Sequence, residues 1–162
     1  MQKILTCRKL RRETKVRFAK CYVWSTFLYA CETWTLTACL EKKIDAFEMW
    51  TYRRILKIPW TRRKTNIDVL IDVGVRTRRL LAEVKQRKMR YYGHARRHNN
   101  IQKMVMEGKI EGKRSRGKQR NNWLENVKTI TGKKMKECCE IAMEREEWRT
   151  MVSNLCRETE PR

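Results

Sequence analysis

The chain has 162 residues, with 40 Lys and Arg against 18 Asp and Glu, and a formal net charge of +22 at pH 7. That length allows one domain or two small helical subdomains with a modest core, and leaves no room for a polymerase with its accessory parts. Self-repulsion of this size is relieved by a polyanion, the expected partner; seven cysteines, odd in number and irregularly spaced in a lysine-rich chain without a convincing secretion signal, predict reduced thiols in the nucleus or cytoplasm.

From Arg12 to Tyr29 apolar residues recur at helical spacing, with Val16, Ala19, Val23, Phe27 and Ala30 on one stripe and Trp24 and Leu28 beside it, and this predicts a long helix. The apolar run Cys21 to Cys31 is too short for the roughly 20 residues of a membrane helix, so no span is expected. Thr37 is a candidate N-cap for a second helix that carries Leu40, Ile44, Phe47, Ile55 and Ile58 until Pro59 stops it. The two helices are expected to pair antiparallel as a first domain, residues 1–60, followed by a basic helical region, residues 61–162.

In that second region Asn66 to Val73 predicts a short helix, capped by Thr65 and closed by Gly74. Thr77 to Arg97 predicts a longer one. At 100° per residue, Leu80, Leu81, Val84, Tyr91 and Ala95 gather on a packing side. Arg78, Lys85 and Arg96, with the line Arg79, Arg90 and Arg97, form a cationic side. Ile101 to Met106 fits one or two helical turns, and Gly108 to Arg120 is too rich in glycine and charge to hold a helix unaided and reads as a loop. Asn121 or Asn122 then caps a helix through Ile130, stopped by Gly132, and a last helix from Lys134 to Leu155 carries Cys138, Ile141, Trp148, Val152 and Leu155. No strand-period alternation persists, so the expected class is all-α.

The chemistry concentrates between Lys85 and Lys128. Gly108, Gly112 and Gly117 stand among Lys109, Lys113, Arg114, Arg116, Lys118 and Arg120, a composition that lets backbone approach phosphates while the cations supply countercharge. Among the neighbouring rings, Tyr91 and Trp123 read as core anchors and Tyr92, at the edge of the apolar stripe, as the candidate for stacking on a base. His94 and His98, four apart, and the adjacent Cys138 and Cys139 lack the ligand spacing of a zinc site, so no metal is expected. Glu140 and Glu144, near Glu137 and Glu147, read as an acidic face paired with an internal cationic surface rather than as catalytic carboxylates. With no nucleophile triad, phosphate-loop motif or dinucleotide fingerprint, neither a catalytic centre nor a cofactor nor a small-molecule substrate is expected.

Four collinear motifs carry a resemblance. Leu28-Tyr-Ala-Cys-Glu-Thr-Trp-Thr-Leu36, Ala46-Phe-Glu-Met-Trp-Thr-Tyr-Arg-Arg54, Tyr92-Gly-His-Ala-Arg-Arg97, and Glu107-Gly-Lys-Ile-Glu-Gly-Lys-Arg-Ser-Arg-Gly-Lys118 with Trp123-Leu124 resemble the C-terminal part of non-LTR, LINE-type retrotransposon endonuclease-reverse transcriptases. The resemblance implies a thumb-like helix pair and a basic C-terminal region. The palm aspartate pair and the separate endonuclease domain of that family match no segment here. It further implies a non-catalytic remnant that contacts RNA or DNA, as template RNA or the backbone of an RNA–DNA hybrid. Ala30 replaces the family's usual glycine, and Ser115 and Gln119 stand where proline is common, as in a divergent or decaying copy. The alternatives are a helical module that binds a protein or a membrane surface, and a pseudogene product without function.

Overall fold

The computed structural model describes residues 2–59, 61–99, 101–107 and 122–157. These are all-α, with no strand among the described residues. In chain order the α-helices are α1 Gln2–Leu5, α2 Arg12–Phe18, α3 Ser25–Phe27, α4 Ala38–Leu56, α5 Asn66–Val73, α6 Leu80–Arg97, α7 Ile101–Glu107, α8 Trp123–Thr131, α9 Met135–Met143 and α10 Arg145–Arg157. None is long and apolar enough to cross a membrane among the described residues. The chain forms two compact units, Met1–Tyr29 with Ala38–Leu81, and Ala30–Thr37 with Ala82–Arg162. The division between these units falls within α6, and residues 30–37 belong to the second unit.

In the first unit the long helix expected from Arg12 onward contains a π-helical stretch, Ala19–Trp24, between α2 and α3. The extra residue per turn rotates the later positions about the helix axis. Val16 and Ala19 are buried as expected, but Trp24 and Leu28 then take the core positions, while Val23 and Phe27 are only half-buried and Ala30 is exposed. Trp24 meets Tyr52 of α4 edge-on, with ring centroids 6.4 Å apart. Helix α5 forms as its local signals dictate: Thr65 Oγ1 accepts from Asp68 N–H, and Gly74, at φ 78°, closes the helix by donating its N–H to the Leu70 and Ile71 carbonyls.

The core side of α4 is Ile44, Glu48, Met49, Thr51, Tyr52 and Ile55, with a carboxylate in the middle. Glu48 is 0% exposed and accepts from Arg79 N–H at 3.0 Å and Leu80 N–H at 3.0 Å, and its Oε1 also accepts the Tyr52 hydroxyl proton at 2.9 Å. It caps the first turn of α6 from another helix, which is why that helix starts at Leu80 and not at Thr77. Burial, then the neighbouring Glu48 charge, pushes the Tyr52 phenol well above its ordinary range.

In the second unit, Met89, Tyr92, Val127, Cys138, Ala142, Trp148 and Val152 form the core. Asn122 and Gly132 delimit α8, Gly132 at φ 66°. The single helix expected from Lys134 to Leu155 is two, broken at Glu144, whose ψ is 104° and whose carbonyl accepts the Trp148 N–H. The break resets the helical phase, so Ala142 and Trp148 face the core and Ile141 lies at its border. Trp148 packs so closely on α6 that a Cβ on Gly93 would lie 2.3 Å from its Nε1, which itself donates to the Met89 carbonyl at 2.9 Å.

Candidate nucleic-acid interface

The first unit carries an open groove of about 1390 Å³ along α4 and the turn after it. Lys42 and Lys43 sit at one end and Arg53, Arg54 and Lys57 three helical turns further on, because a spacing of eleven residues returns to nearly the same face of a helix. Past Pro59, Arg62, Arg63 and Lys64 line it, and Arg78 contributes from the segment before α6. Asp45 is the one carboxylate in the lining among the described residues.

The cations divide into two groups. Arg78 pairs with Asp45 at 2.8 Å, Lys64 pairs with Asp72, and Arg53 donates to the Lys64 carbonyl at 3.1 Å and to Asn66 Oδ1 at 2.7 Å. These hold the groove's own walls together. Lys42, Lys43, Lys57, Arg62 and Arg63 are exposed and, like the half-buried Arg54, have no carboxylate partner among the described residues. Arg54 Nε is moreover a buried donor without a hydrogen-bond partner among the described residues. Six positive charges thus converge on one open surface without local neutralisation.

Aromatic rings accompany them. Phe47 and Trp50 lie in the groove lining. Phe27 of α3 stacks on Phe47 with centroids 4.8 Å apart and planes 11° from parallel, and Phe47 in turn lies 6.2 Å from Trp50 at 18°. Trp50 ends this ladder and is 50% exposed.

The residues expected to bind phosphate from sequence are distributed differently. Arg79 belongs to the first unit, its backbone N–H held by Glu48 and its side chain exposed. Lys85, Arg90, Arg96 and Arg97 lie on α6 in the second unit, where Arg90 is exposed and Lys85 half-buried. Arg97 donates to the Ala142 carbonyl at 2.8 Å and so ties α6 to α9. Arg96 lines a smaller cavity of about 480 Å³ with Lys103, Met106 and Leu124. Lys109, Lys113, Arg114, Arg116, Lys118 and Arg120 lie outside the described residues. Tyr92 requires correction: it is 2% exposed, in the core beside Trp148, with its hydroxyl against Cys139 Sγ at 3.4 Å. A ring so buried cannot stack on a base. Tyr91, read as the core anchor, is half-buried and edge-on to Trp123.

The displacement traces to Lys88, which is 0% exposed and completes an i, i+4 core line with Leu80, Val84 and Tyr92. Its ammonium donates to the Trp34 carbonyl at 2.6 Å and lies 4.0 Å from the centre of the Trp123 ring. Burial pushes it down to about 7, and the Cys31 charge acts in the opposite sense; the ring face and the carbonyl likewise favour the ammonium. Two further side chains bind the same strap of chain. Trp123 Nε1 donates to the Glu32 carbonyl at 2.8 Å, and the Asn126 amide exchanges two hydrogen bonds of 2.7 Å with the Leu36 backbone. Residues 30–37 are thereby seated on α6 and α8.

The remaining candidates resolve simply. His94 and His98 are exposed with ring centroids 4.4 Å apart, and no group of three His, Cys, Asp or Glu side chains converges among the described residues. Cys7, Cys21, Cys31, Cys39, Cys138 and Cys139 are free thiols. Of the acidic face, Glu137 pairs with Lys133 at 3.2 Å, one turn away, while Glu140, Glu144 and Glu147 are exposed and not engaged with an internal cationic surface among the described residues. Comparison with protein-family profiles, curated protein sequences and solved structures finds no match to this chain.

Proposed function

We propose that the chain binds nucleic acid without catalysing a reaction on it, as the thumb-like helices and basic C-terminal region of a LINE-type reverse transcriptase would. The observation that carries the reading is the α4 groove, where six cations without carboxylate partners among the described residues line a space open to a backbone of phosphates. The absence of chemistry is inferred from the three aspartates. Asp45 is bound to Arg78, Asp72 to Lys64, and Asp68 to the Thr65 hydroxyl at the start of its own helix. Among the described residues no group of three His, Cys, Asp or Glu side chains converges as a site for the metal ions that phosphoryl transfer uses. Template-dependent nucleotide incorporation by the pure protein would contradict this.

Binding is tested by fluorescence anisotropy with a labelled single-stranded RNA over a salt series. If about six phosphates are neutralised, the logarithm of affinity falls with that of salt at a slope near −4, since each contact on a single strand contributes about 0.7. Replacing Lys42, Lys43, Arg62 and Arg63 with Ala flattens the slope by about 3 and weakens all sequences alike. The same replacement at Lys113, Arg114, Arg116 and Lys118 measures what the glycine-rich basic segment adds. Salt-insensitive binding, or complete displacement by acidic lipid vesicles with no RNA retained, would favour the protein- or membrane-binding alternative.

A further inference from the structure

We propose that the α4 groove is a site for single-stranded nucleic acid, in which an unpaired base stacks on the open face of Trp50. This deepens the nucleic-acid reading above and rests on it. A purely electrostatic groove needs no aromatic ring, and this one has Phe47 and a 50% exposed Trp50 in its lining. Here the indole is not a stray surface residue. Phe47, one helical turn before it, lies nearly parallel to it, and Phe27 backs Phe47 from a second helix. Three near-parallel rings therefore end in one that is 50% exposed, its orientation set by the two behind it. A base is a flat π-surface that adds naturally to such a ladder, and every base has one, so the contact is indifferent to sequence.

The flanking charges suit a strand. Lys42 and Lys43 precede Trp50 by about two turns of α4, Arg54 and Lys57 come one to two turns after it, and Arg62 and Arg63 lie beyond. Phosphates on both sides of the stacked nucleotide find cations along the same lining. A duplex offers this site only its backbone and base edges, because its base faces are covered by neighbouring pairs. Charge alone holds either form, and the ring discriminates between them.

The experiment uses the full chain and its Trp50→Ala and Trp50→Phe variants, checked for unchanged helicity by circular dichroism. Three labelled probes of equal length are titrated: a single-stranded oligonucleotide, the same strand with abasic sites throughout, and its duplex. Trp50→Ala is expected to weaken the single strand about tenfold, within the range for loss of one base–aromatic stack, with the salt slope unchanged and with the abasic strand and duplex bound as by the parent. Trp50→Phe retains most of the affinity. An equal loss on all three probes, or no loss on the single strand, overturns the stacking role. If the parent chain binds none of the probes in a salt-dependent way, the failure belongs to the nucleic-acid reading itself. If it binds them but neither Trp50→Ala nor the fourfold cation variant has any effect, the groove serves another partner, such as an acidic protein, and the proposal falls.

Discussion

Single positions carry much of the stability of each unit, and two of them make opposite predictions. Glu48 satisfies two backbone donors and a hydroxyl in a site closed to water, so Glu48→Ala leaves all three without an acceptor and is expected to cost about 3 kcal/mol or more. Glu48→Gln keeps one acceptor oxygen and costs about half as much; urea unfolding of both variants checks the order. Ala30 holds a left-handed conformation, φ 53° and ψ 21°, and is exposed. A Cβ there is a steric cost with no burial to offset it, so Ala30→Gly should stabilise the chain by about 1 kcal/mol, the reverse of an ordinary Ala→Gly change. Glycine takes this left-handed conformation without the Cβ cost. Nothing local marks Glu48, which sits 31 and 32 residues from the amides it caps.

At the scale of elements, α6 depends on one glycine and one buried cation. Gly93→Ala drives a methyl group into the Trp148 indole. Because Trp148 is held by its bond to Met89, it cannot retreat without losing a buried hydrogen bond, and a loss of about 3 kcal/mol is expected by denaturant titration. Lys88 makes stability pH-dependent. Its folded value is pushed down to about 7 from an ordinary 10.5; between these the unfolded chain binds the extra proton, so stability rises with pH from about 7, by at most ~1.4 kcal/mol per unit. Cys31 acts in the opposite sense. Burial, then the Glu32 charge, pushes its thiol up to about 11 from an ordinary 9.0, so its contribution is present below 9 and is lost as pH climbs to 11. Thermal melts should therefore show stability increasing from pH 7 to about 9 and levelling above. Lys88→Met should abolish the rise; a melt series with the parent slope would remove Lys88 as its cause.

For the whole molecule, a charge of +22 makes ionic strength a stability variable. Low salt leaves the cations of the α4 groove unscreened, and the melting temperature should rise on adding sodium chloride. A single-stranded oligonucleotide at 100 times its dissociation constant should add about 2.7 kcal/mol at low salt, through linkage of binding to folding, and much less at high salt. An oligonucleotide that leaves the melting temperature unchanged at low salt would mean that it does not bind the folded chain selectively.

What the sequence determined by itself was local. Helical periodicity gave the all-α class, and Thr65, Gly74, Asn122 and Gly132 marked the limits of α5 and α8, because a cap acts on amides and carbonyls within one turn. The tertiary structure decided which polar residues lie inside. Glu48, Lys88 and Asn126 occupy core positions because backbone groups 32, 54 and 90 residues away meet them there, and no pattern of apolar spacing encodes such partners. With Lys88 left off the packing side of α6, Tyr91 was placed there and Tyr92 at its edge, whereas Lys88 and Tyr92 are the buried pair. The α4 groove was not among the expectations from sequence, although its basic pairs, Lys42–Lys43 and Arg53–Arg54, stand eleven residues apart. That Trp50 would stand among them, backed by Phe47 and Phe27, required the packing of α3 against α4, a contact between separate helices that only the folded chain creates.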